Sequence, residues 1–284
     1  MVDEHKITVG QVFKHFRQLP EMRKLIEDCY YDEDFLGAAK RFYKSEEFTT
    51  VLDYISSKGK QAPGLVLDLG GGNGVASLAY HWAGYQVVLA EPDDDDIVGI
   101  GAIAPFLRTD ESKIGVCKAV GEYLPFYKGA FDIVYARQVL HHVSDLDVVC
   151  GEAYRVLRPN GLFIGTREHV ISKSGDLTAF LNNHPVHRYT GGENAHLLRE
   201  YRAALIKAGF RQVKVLGPWE SVINYYPMTR SEYVDQCRKA LSRYLGVGMG
   251  GYLSTLSAVL KICGLYLTKR DRTPGRLYSF LATR

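Results

Sequence analysis

Apolar positions in the chain change period near residue 65. Before it, Ile7, Val12, Phe13 and Phe16 recur at helical spacing. Ser45 with Glu46 and Glu47, followed by Phe48, Val51, Leu52 and Ile55, predicts a capped amphipathic helix. Gly59 and Pro63-Gly64 close that segment, which sets residues 1–60 apart as an N-terminal helical segment. From Leu65 the pattern becomes short apolar runs alternating with helical stretches. Strands are predicted at 65–69, 86–91, 114–120, 131–136 and 161–167, with helices at 74–83, about 95–107 and 145–157. The last helix stops on Arg155, Arg158, Pro159 and Asn160-Gly161, a basic final turn and a breaker. Such alternation implies βαβ units, an α/β fold and a parallel sheet with helices on both faces, whose ligand sites lie at the carboxyl ends of the strands.

Beyond residue 167 the reading is less regular. Residues 168–194 look like a polar loop carrying His169, His184, His187, Gly191, Gly192 and Glu193. A helix at 195–208 ending on Gly209, a strand at 211–217 and a final strand at 276–283 after Thr273-Pro274-Gly275 complete the reading. Residues 218–275 between the last two strands are expected to be helical.

One stretch carries most of the chemistry. The first strand ends in LVLDLGGGNG, with Asp68 two positions before Gly70-x-Gly72-x-Gly74. Val75 stands where a dinucleotide-binding turn wants its last glycine. The second strand ends in Glu91 and Pro92, and no lysine cluster is present to hold a phosphate.

With these residues the sequence resembles the class I S-adenosylmethionine-dependent methyltransferases, in particular the small-molecule branch similar to ubiquinone/menaquinone-biosynthesis enzymes. GEYLPFYKGAFDIVYAR (121–137), QVLHHVSD (138–145), EAYRVLRPNGLFI (152–164) and ALIKAGF (204–210) carry the likeness further, in the family's order. The resemblance implies a Rossmann-like, seven-stranded mixed sheet with a helical cap inserted before the last strand. It divides the chain into residues 1–60, a cofactor-binding domain of 61–217 plus 276–284, and a cap of 218–275. It also implies S-adenosylmethionine as cofactor and S-adenosylhomocysteine as product. By the same resemblance Asp68 holds the amino-acid end of the cofactor. Gly70, Gly71, Gly72 and Gly74 let the backbone approach it, with Asn73 at the tip of the turn. Glu91 takes the two ribose hydroxyls and Pro92 lies against the adenine. Val120 replaces the acid that many relatives place near the adenine amino group, which leaves adenine to the backbone of Gly121 and Glu122. Arg137 is expected beside the cofactor, through its carbonyl or by orienting an anionic acceptor.

Methyl transfer needs an aligned acceptor and, for a hydroxyl, a base. His141 and His142, just after the fourth strand, are the candidate bases, although histidines there also serve packing alone. Gln138, His169, His184, His187, Arg188 and Tyr189 are candidate acceptor contacts at the same strand ends. His184-Pro-Val-His187 with Glu193 and His196 matches no metal-site spacing, so no metal is expected. Tyr225 and Tyr226 belong to an aromatic set in 218–275 that suits an apolar or sugar-like acceptor, or simply a core.

Composition adjusts this picture only slightly. A net charge of +3 without a basic stripe argues against a nucleic-acid partner. Five cysteines without a CxxC pair, and an opening MVDEHKITVG without a signal pattern, are read as cytoplasmic. Residues 244–260 carry no charge but are too short for a span of about 20 residues, leaving membrane-surface contact or burial. The expected function is methylation of a small molecule, with oxygen the favoured acceptor atom, in secondary-metabolite, glycan or lipid-linked precursor biosynthesis. A protein or nucleic-acid methyltransferase and a non-catalytic binding protein are the alternatives, and the reading leaves room for a homodimer.

Overall fold

Strand β1 (Leu65–Leu69) is the centre on which the sheet is built. The computed structural model describes residues 9–29, 32, 34–109, 113–184, 187 and 193–284. β1 pairs in parallel with β2 (Gln86–Ala90) on one side and β4 (Phe131–Arg137) on the other. β3 (Ile114–Cys117) extends the β2 side, and β5 (Leu157–Ile171) extends the β4 side. β6 (His196–Leu197) lies parallel to the end of β5. β7 (Arg211–Leu216) and β5 both run antiparallel to β8 (Arg276–Thr283), which gives the order β3-β2-β1-β4-β5-β8-β7. The strand order reverses between β1 and β4, and a sheet of this kind opens its ligand crevice there, at the carboxyl ends.

Neighbouring residues in a strand point to opposite faces, so each strand feeds two cores. Val66, Ile133, Tyr135 and Ile164 pack on one face with Phe48 and Tyr80. Phe48 belongs to α4 (Glu46–Ser57), which follows α1 (Val9–Gln18), α2 (Pro20–Cys29) and α3 (Phe35–Tyr43). Tyr80 belongs to α5 (Val75–Trp82). Leu67, Leu69, Val134, Ala136 and Phe163 fill the other face with Val149, Ala153, Tyr201 and Leu205. The Ser45 cap expected for α4 is present: its hydroxyl oxygen accepts the Phe48 N–H at 3.1 Å. α1 and α2 bury Val12, Phe13, Phe16 and Ile26 together, with Val98 packed against them. Val98 precedes α6 (Ile100–Leu107), so the N-terminal helices rest on the segment after β2.

The strands expected from the pattern all form, and β6 is an eighth. Two expectations after residue 167 are corrected. The polar loop expected at 168–194 begins instead as β5, which runs on to Ile171 with Arg167, Glu168 and His169 buried. It continues as α8 (Asp176–Asn183), the first helix after α7 (Leu146–Val156). The helix expected from 195 starts at Leu198 as α9 (Leu198–Ala208), because His196 and Leu197 pair with Val170 and Ile171.

The segment between β7 and β8 is helical, as expected: α10 (Val222–Tyr225), α11 (Arg230–Leu245), α12 (Val247–Leu253) and α13 (Ser257–Arg270). The Trp219 indole N–H donates to Asp271 at 2.9 Å and the Tyr233 hydroxyl to the Leu260 carbonyl at 2.9 Å, tying the insertion to itself. Among the described residues no single helix is long and apolar enough to cross a membrane. α12 and α13 pass that test only as a pair bent by 96°.

Candidate functional site

At the end of β1 the backbone turns sharply. Gly70 and Gly72 have φ of +61° and +54°, where a side chain is strained. Space is short as well: a Cβ on Gly70 would sit 2.8 Å from the Val139 side chain, and one on Gly72 would sit 3.0 Å from the Val98 carbonyl. Asp68 is buried beneath this turn. Its Oδ2 accepts the Ser77 hydroxyl at 2.6 Å, while its Oδ1 has no hydrogen-bond partner among the described residues. Burial pushes the Asp68 carboxyl up to about 6, although the Ser77 hydrogen bond opposes this. Glu91 braces the turn from the end of β2: Oε2 accepts the Gly72 N–H at 2.9 Å and Oε1 the Asp93 N–H at 3.0 Å. Burial raises its carboxyl too, against those two hydrogen bonds. Each Glu91 oxygen keeps acceptor capacity for one more donor.

A cavity of about 70 Å³ is lined by Phe42, Asp68, Gly70, Gly71, Asn73, Val75, Ala76 and Arg137. Asn73 also lines a second cavity of about 500 Å³, with Phe35 and Leu36 of α3 and Ala102, Pro105 and Phe106 of α6. Pro92 is exposed after Glu91. Gly121 and Glu122 lie half-buried beyond β3, where Glu122 accepts the N–H and hydroxyl of Ser144 at 3.2 and 2.9 Å.

A buried charge layer closes the crevice from the N-terminal side. Glu47 of α4 is fully buried and accepts two hydrogen bonds from Arg137, at 2.7 and 3.0 Å. The Arg137 guanidinium also sits 5.1 Å over the Phe42 ring. Arg167, 4% exposed, lies 3.9 Å from Glu47 and donates to the carbonyls of Ile223 and Tyr226 at 3.1 and 2.8 Å. Gln138, just past the end of β4, and Arg167, within β5 where its register with β8 shifts, have φ of +58° and +62°. Non-glycine residues in that region store strain, and strain concentrates at functional sites.

A second polar group gathers behind the β4 end. The Glu168 carboxylate accepts the N–H groups of Val139 and His141 at 3.0 and 3.1 Å, and faces His141 Nδ1 at 2.7 Å. Its other ring nitrogen, Nε2, faces Glu193 at 3.5 Å. His169 Nδ1 lies 2.7 Å from the Gly275 carbonyl, and its ring centroid is 4.6 Å from that of His141. His142 Nε2 and His184 Nδ1 each approach Glu193 at 3.9 Å. Burial disfavours the charged His141, but Glu168 and Glu193 overcome it and raise the ring to about 9. Burial and the neighbouring His141 lower His169 to about 3. Of the two candidate bases, His141 is 1% exposed and His142 44%.

The structure therefore brings Asp68, Glu91, Asn73, Arg137 and the glycines into one place, and His141, His142, His169, His184 and Glu193 into another. Val139 links the two, resting on Gly70 and held by Glu168. His187 donates its N–H to His184 Nδ1 at 3.4 Å at the edge of the second group. Tyr225 and Tyr226 are sent apart. The Tyr226 carbonyl serves Arg167, whereas Tyr225 stacks on Tyr233 at 5.0 Å and lines a separate cavity of about 570 Å³ with Trp219, Leu260 and the Thr49–Asp53 side of α4. Arg188 and Tyr189 lie outside the described residues. Sequence reasoning missed Glu47, Ser77, Arg167 and Glu168. The usable signal was the run Arg167-Glu168-His169 continuing an apolar strand without a turn residue.

A family profile described as a methyltransferase domain matches residues 67–165. Sterol 24-C-methyltransferase of Schizosaccharomyces pombe is 33% identical over 142 residues, 48% of this chain and 37% of that protein. Malonyl-[acyl-carrier protein] O-methyltransferase of Geobacter sulfurreducens is 29% identical over 186 residues, covering 62% and 66%. The chain thus spans between about a third and two thirds of the length of these curated relatives. Among solved structures, geranyl diphosphate C-methyltransferase from Streptomyces coelicolor in complex with S-adenosyl-L-homocysteine superposes with a TM-score of 0.54 at 17% identity, covering 83% of this chain and 76% of that one.

Proposed function

We propose that this chain, a class I S-adenosylmethionine-dependent methyltransferase by the domain that its residues 67–165 match, methylates a small molecule, most readily at oxygen. The observation that carries the proposal is the buried Asp68 oxygen left without a partner under a glycine turn, beside a carboxylate with spare acceptor capacity. The cofactor's ammonium and ribose diol are the donors such a pair fits, and its sulfonium supplies an activated methyl group. In this reading Asp68 binds the amino-acid end and Glu91 takes the ribose hydroxyls. Gly70, Gly71, Gly72 and Gly74 admit the cofactor's backbone-facing atoms, with Asn73 at the rim, Pro92 against the adenine, and Gly121 and Glu122 at its edge. Arg137, fixed by Glu47, walls off the methionyl side, and the Gln138 end of β4 faces the acceptor.

We read residues 61–217 with 276–284 as the cofactor-binding domain, and the N-terminal helices and residues 218–275 as its covers. The ~70 Å³ at the glycine turn is less than the roughly 300 Å³ of an ordinary ligand pocket. Binding therefore requires movement of the covering segments, α3 and residues 93–99. The decisive experiment is calorimetry with S-adenosylmethionine followed by turnover of methyl-labelled cofactor against pools of glycans, hydroxylated metabolites and lipid-linked precursors. A folded chain that binds no cofactor would point to the non-catalytic alternative, and transfer only to protein or nucleic acid would overturn the acceptor class.

The state of Asp68 sets a pH dependence. Its folded carboxyl lies above the ordinary value of 3.8, so below about pH 6 the ligand-free group is protonated. A cationic ligand needs the carboxylate, and the proton must leave on binding. Affinity for S-adenosylmethionine is expected to fall about tenfold per pH unit below 6 and to level off above it. Calorimetry at pH 5, 6 and 7.5 checks this. Asp68→Asn is expected to bind weakly and without that slope, and a flat wild-type profile would refute the assignment.

The α11–α13 surface supports a lipid-linked acceptor. Tyr244, Val247, Tyr252 and Ile262 are 64–87% exposed there. Arg243, Lys261, Lys269 and Arg270 are the neighbouring bases. We propose that this surface rests on anionic membranes, where apolar side chains insert and the bases meet headgroups. Vesicles containing phosphatidylglycerol should pull the protein down in sedimentation, less so at high salt. Val247→Asp/Tyr252→Asp should abolish it. Equal behaviour of wild type and variant would remove this contact from the reading.

A further inference from the structure

The methyltransferase reading uses the glycine turn and leaves the polar group behind β4 unexplained. His141, His169 and Glu193 come from three separate stretches, yet each offers a ligand atom and these atoms lie within 4.8 Å of one another. All are withdrawn from solvent, with His141 at 1%, His169 at 8% and the Glu193 side chain at 10% exposure. The Gly275 carbonyl can only accept, so His169 Nδ1 carries the hydrogen and its Nε2 presents a lone pair. His141 Nδ1 is likewise committed, to the Glu168 carboxylate at 2.7 Å, which leaves Nε2 facing Glu193. Glu193 Oε2 is buried with no hydrogen-bond partner among the described residues, a costly condition for a carboxylate.

Metal-binding histidines show this arrangement: one ring nitrogen donates to a carboxylate or a backbone carbonyl, and the other is turned toward the ion. We infer that His141 Nε2, His169 Nε2 and the Glu193 carboxylate form a site for one divalent transition-metal cation of the zinc class. Two imidazoles and one carboxylate select such an ion over magnesium or calcium, which prefer oxygen ligands. Bonds of about 2.0–2.2 Å place ligand atoms roughly 3.4 Å apart, so the three ligands draw together by on the order of 1 Å when the ion binds. Three protein ligands leave a position for water or an exogenous oxygen, bordered by His142 and His184. The competing arrangement puts a proton where the ion would be, making His141 an imidazolium between Glu168 and Glu193. At 3.5 Å from Glu193, Nε2 is too far for a strong charged hydrogen bond, whereas a cation between the two satisfies both atoms.

The test uses the full chain with any affinity tag removed, stripped by chelator, and titrated with Zn²⁺ by calorimetry and with Co²⁺ by visible absorbance. One equivalent is expected to bind, with cobalt d–d bands of a low-coordinate site and a rise in melting temperature on adding zinc. His169→Ala and Glu193→Gln, shown to be folded by circular dichroism and by unchanged S-adenosylmethionine binding, are expected to lose about 10–100-fold in metal affinity and to melt at the same temperature with or without zinc. Failure of the wild type to take up stoichiometric metal would overturn the site in favour of the proton-bridged pair. Equal affinity in the two variants would overturn the ligand assignment. Cofactor binding in the same samples reports on the glycine turn separately, so either reading can fail alone.

Discussion

Glu47→Ala is expected to destabilise the protein by about 3–5 kcal/mol, the usual cost of removing one partner from a buried ion pair. The substitution removes the acceptor of two Arg137 hydrogen bonds and, among the described residues, the only carboxylate that forms an ion pair with Arg167. Both cations then remain in the protein, with side-chain exposures of 17% and 4%. Arg167 is ill placed to compensate, since its Nε already has no hydrogen-bond partner among the described residues. For a chain of this length the loss corresponds to a fall in melting temperature of roughly 10 °C. Glu47→Gln keeps the volume and one acceptor oxygen and should fall in between. Glu47→Leu/Arg137→Met is expected to be more stable than Glu47→Leu alone, because it leaves one uncompensated cation, Arg167, in place of two. Thermal and urea denaturation of the four variants check this. A Glu47→Ala loss below about 1 kcal/mol would mean that the layer is solvated rather than buried.

That layer also shows where sequence reading stops. The parallel core was legible because the strands from Leu65 to Arg137 are short apolar runs, β1 running into glycines and β2 into an acid, and because the first-turn cap of α4 and the basic last turn of α7 were readable. Asp68, the glycines and Glu91 were legible for the same reason: chemistry at strand ends is set by local order, and the strand ends were readable. Glu47 was read as a first-turn acid, which it is, since an acid there complements the helix dipole. Its partnership with Arg137, 90 positions away, is a tertiary fact that helical period does not encode. Glu168 and His169 were assigned to a loop, and Arg167 to the last position of its strand, because their types are polar. They continue β5 because their partners, Glu47, the Val139–His141 backbone and the Gly275 carbonyl, arrive from elsewhere in the chain. The histidine cluster was hidden in the same way. The sequence offered His184, His187, Glu193 and His196 as neighbours, whereas the fold selects His141 and His169 to meet Glu193. Tyr225 and Tyr226 separate because α10 ends between them, and helical geometry no longer fixes the second.

Glu91→Ala is expected to weaken S-adenosylmethionine binding by about tenfold at the least, and by several hundredfold if both ribose hydroxyls bond to the carboxylate. Each hydrogen bond to a charged acceptor is worth about 1.5–3 kcal/mol, and 1.4 kcal/mol is a factor of ten. The carboxylate acts twice, since the same oxygens hold the N–H groups of Gly72 and Asp93 and so fix the turn and the segment after β2. Glu91→Gln separates the two effects in part. Its remaining oxygen still accepts the Gly72 N–H, so the turn keeps that brace, while the acceptor of the Asp93 N–H and of one ribose hydroxyl becomes a donor. Ligand fragments give a sharper discrimination. S-adenosylhomocysteine shares the ribose but lacks the sulfonium, so its affinity should fall by the same factor as that of the cofactor. The methyl charge has no part in what Glu91 holds. Adenosine should be lost along with them, whereas methionine, whose ammonium is assigned to Asp68, should be nearly indifferent to Glu91→Ala and sensitive to Asp68→Asn. Calorimetric competition with these four ligands measures the pattern. If Glu91→Ala bound adenosine as tightly as the wild type, the carboxylate would be a brace for the turn alone, and the sugar would have to lie elsewhere in the crevice.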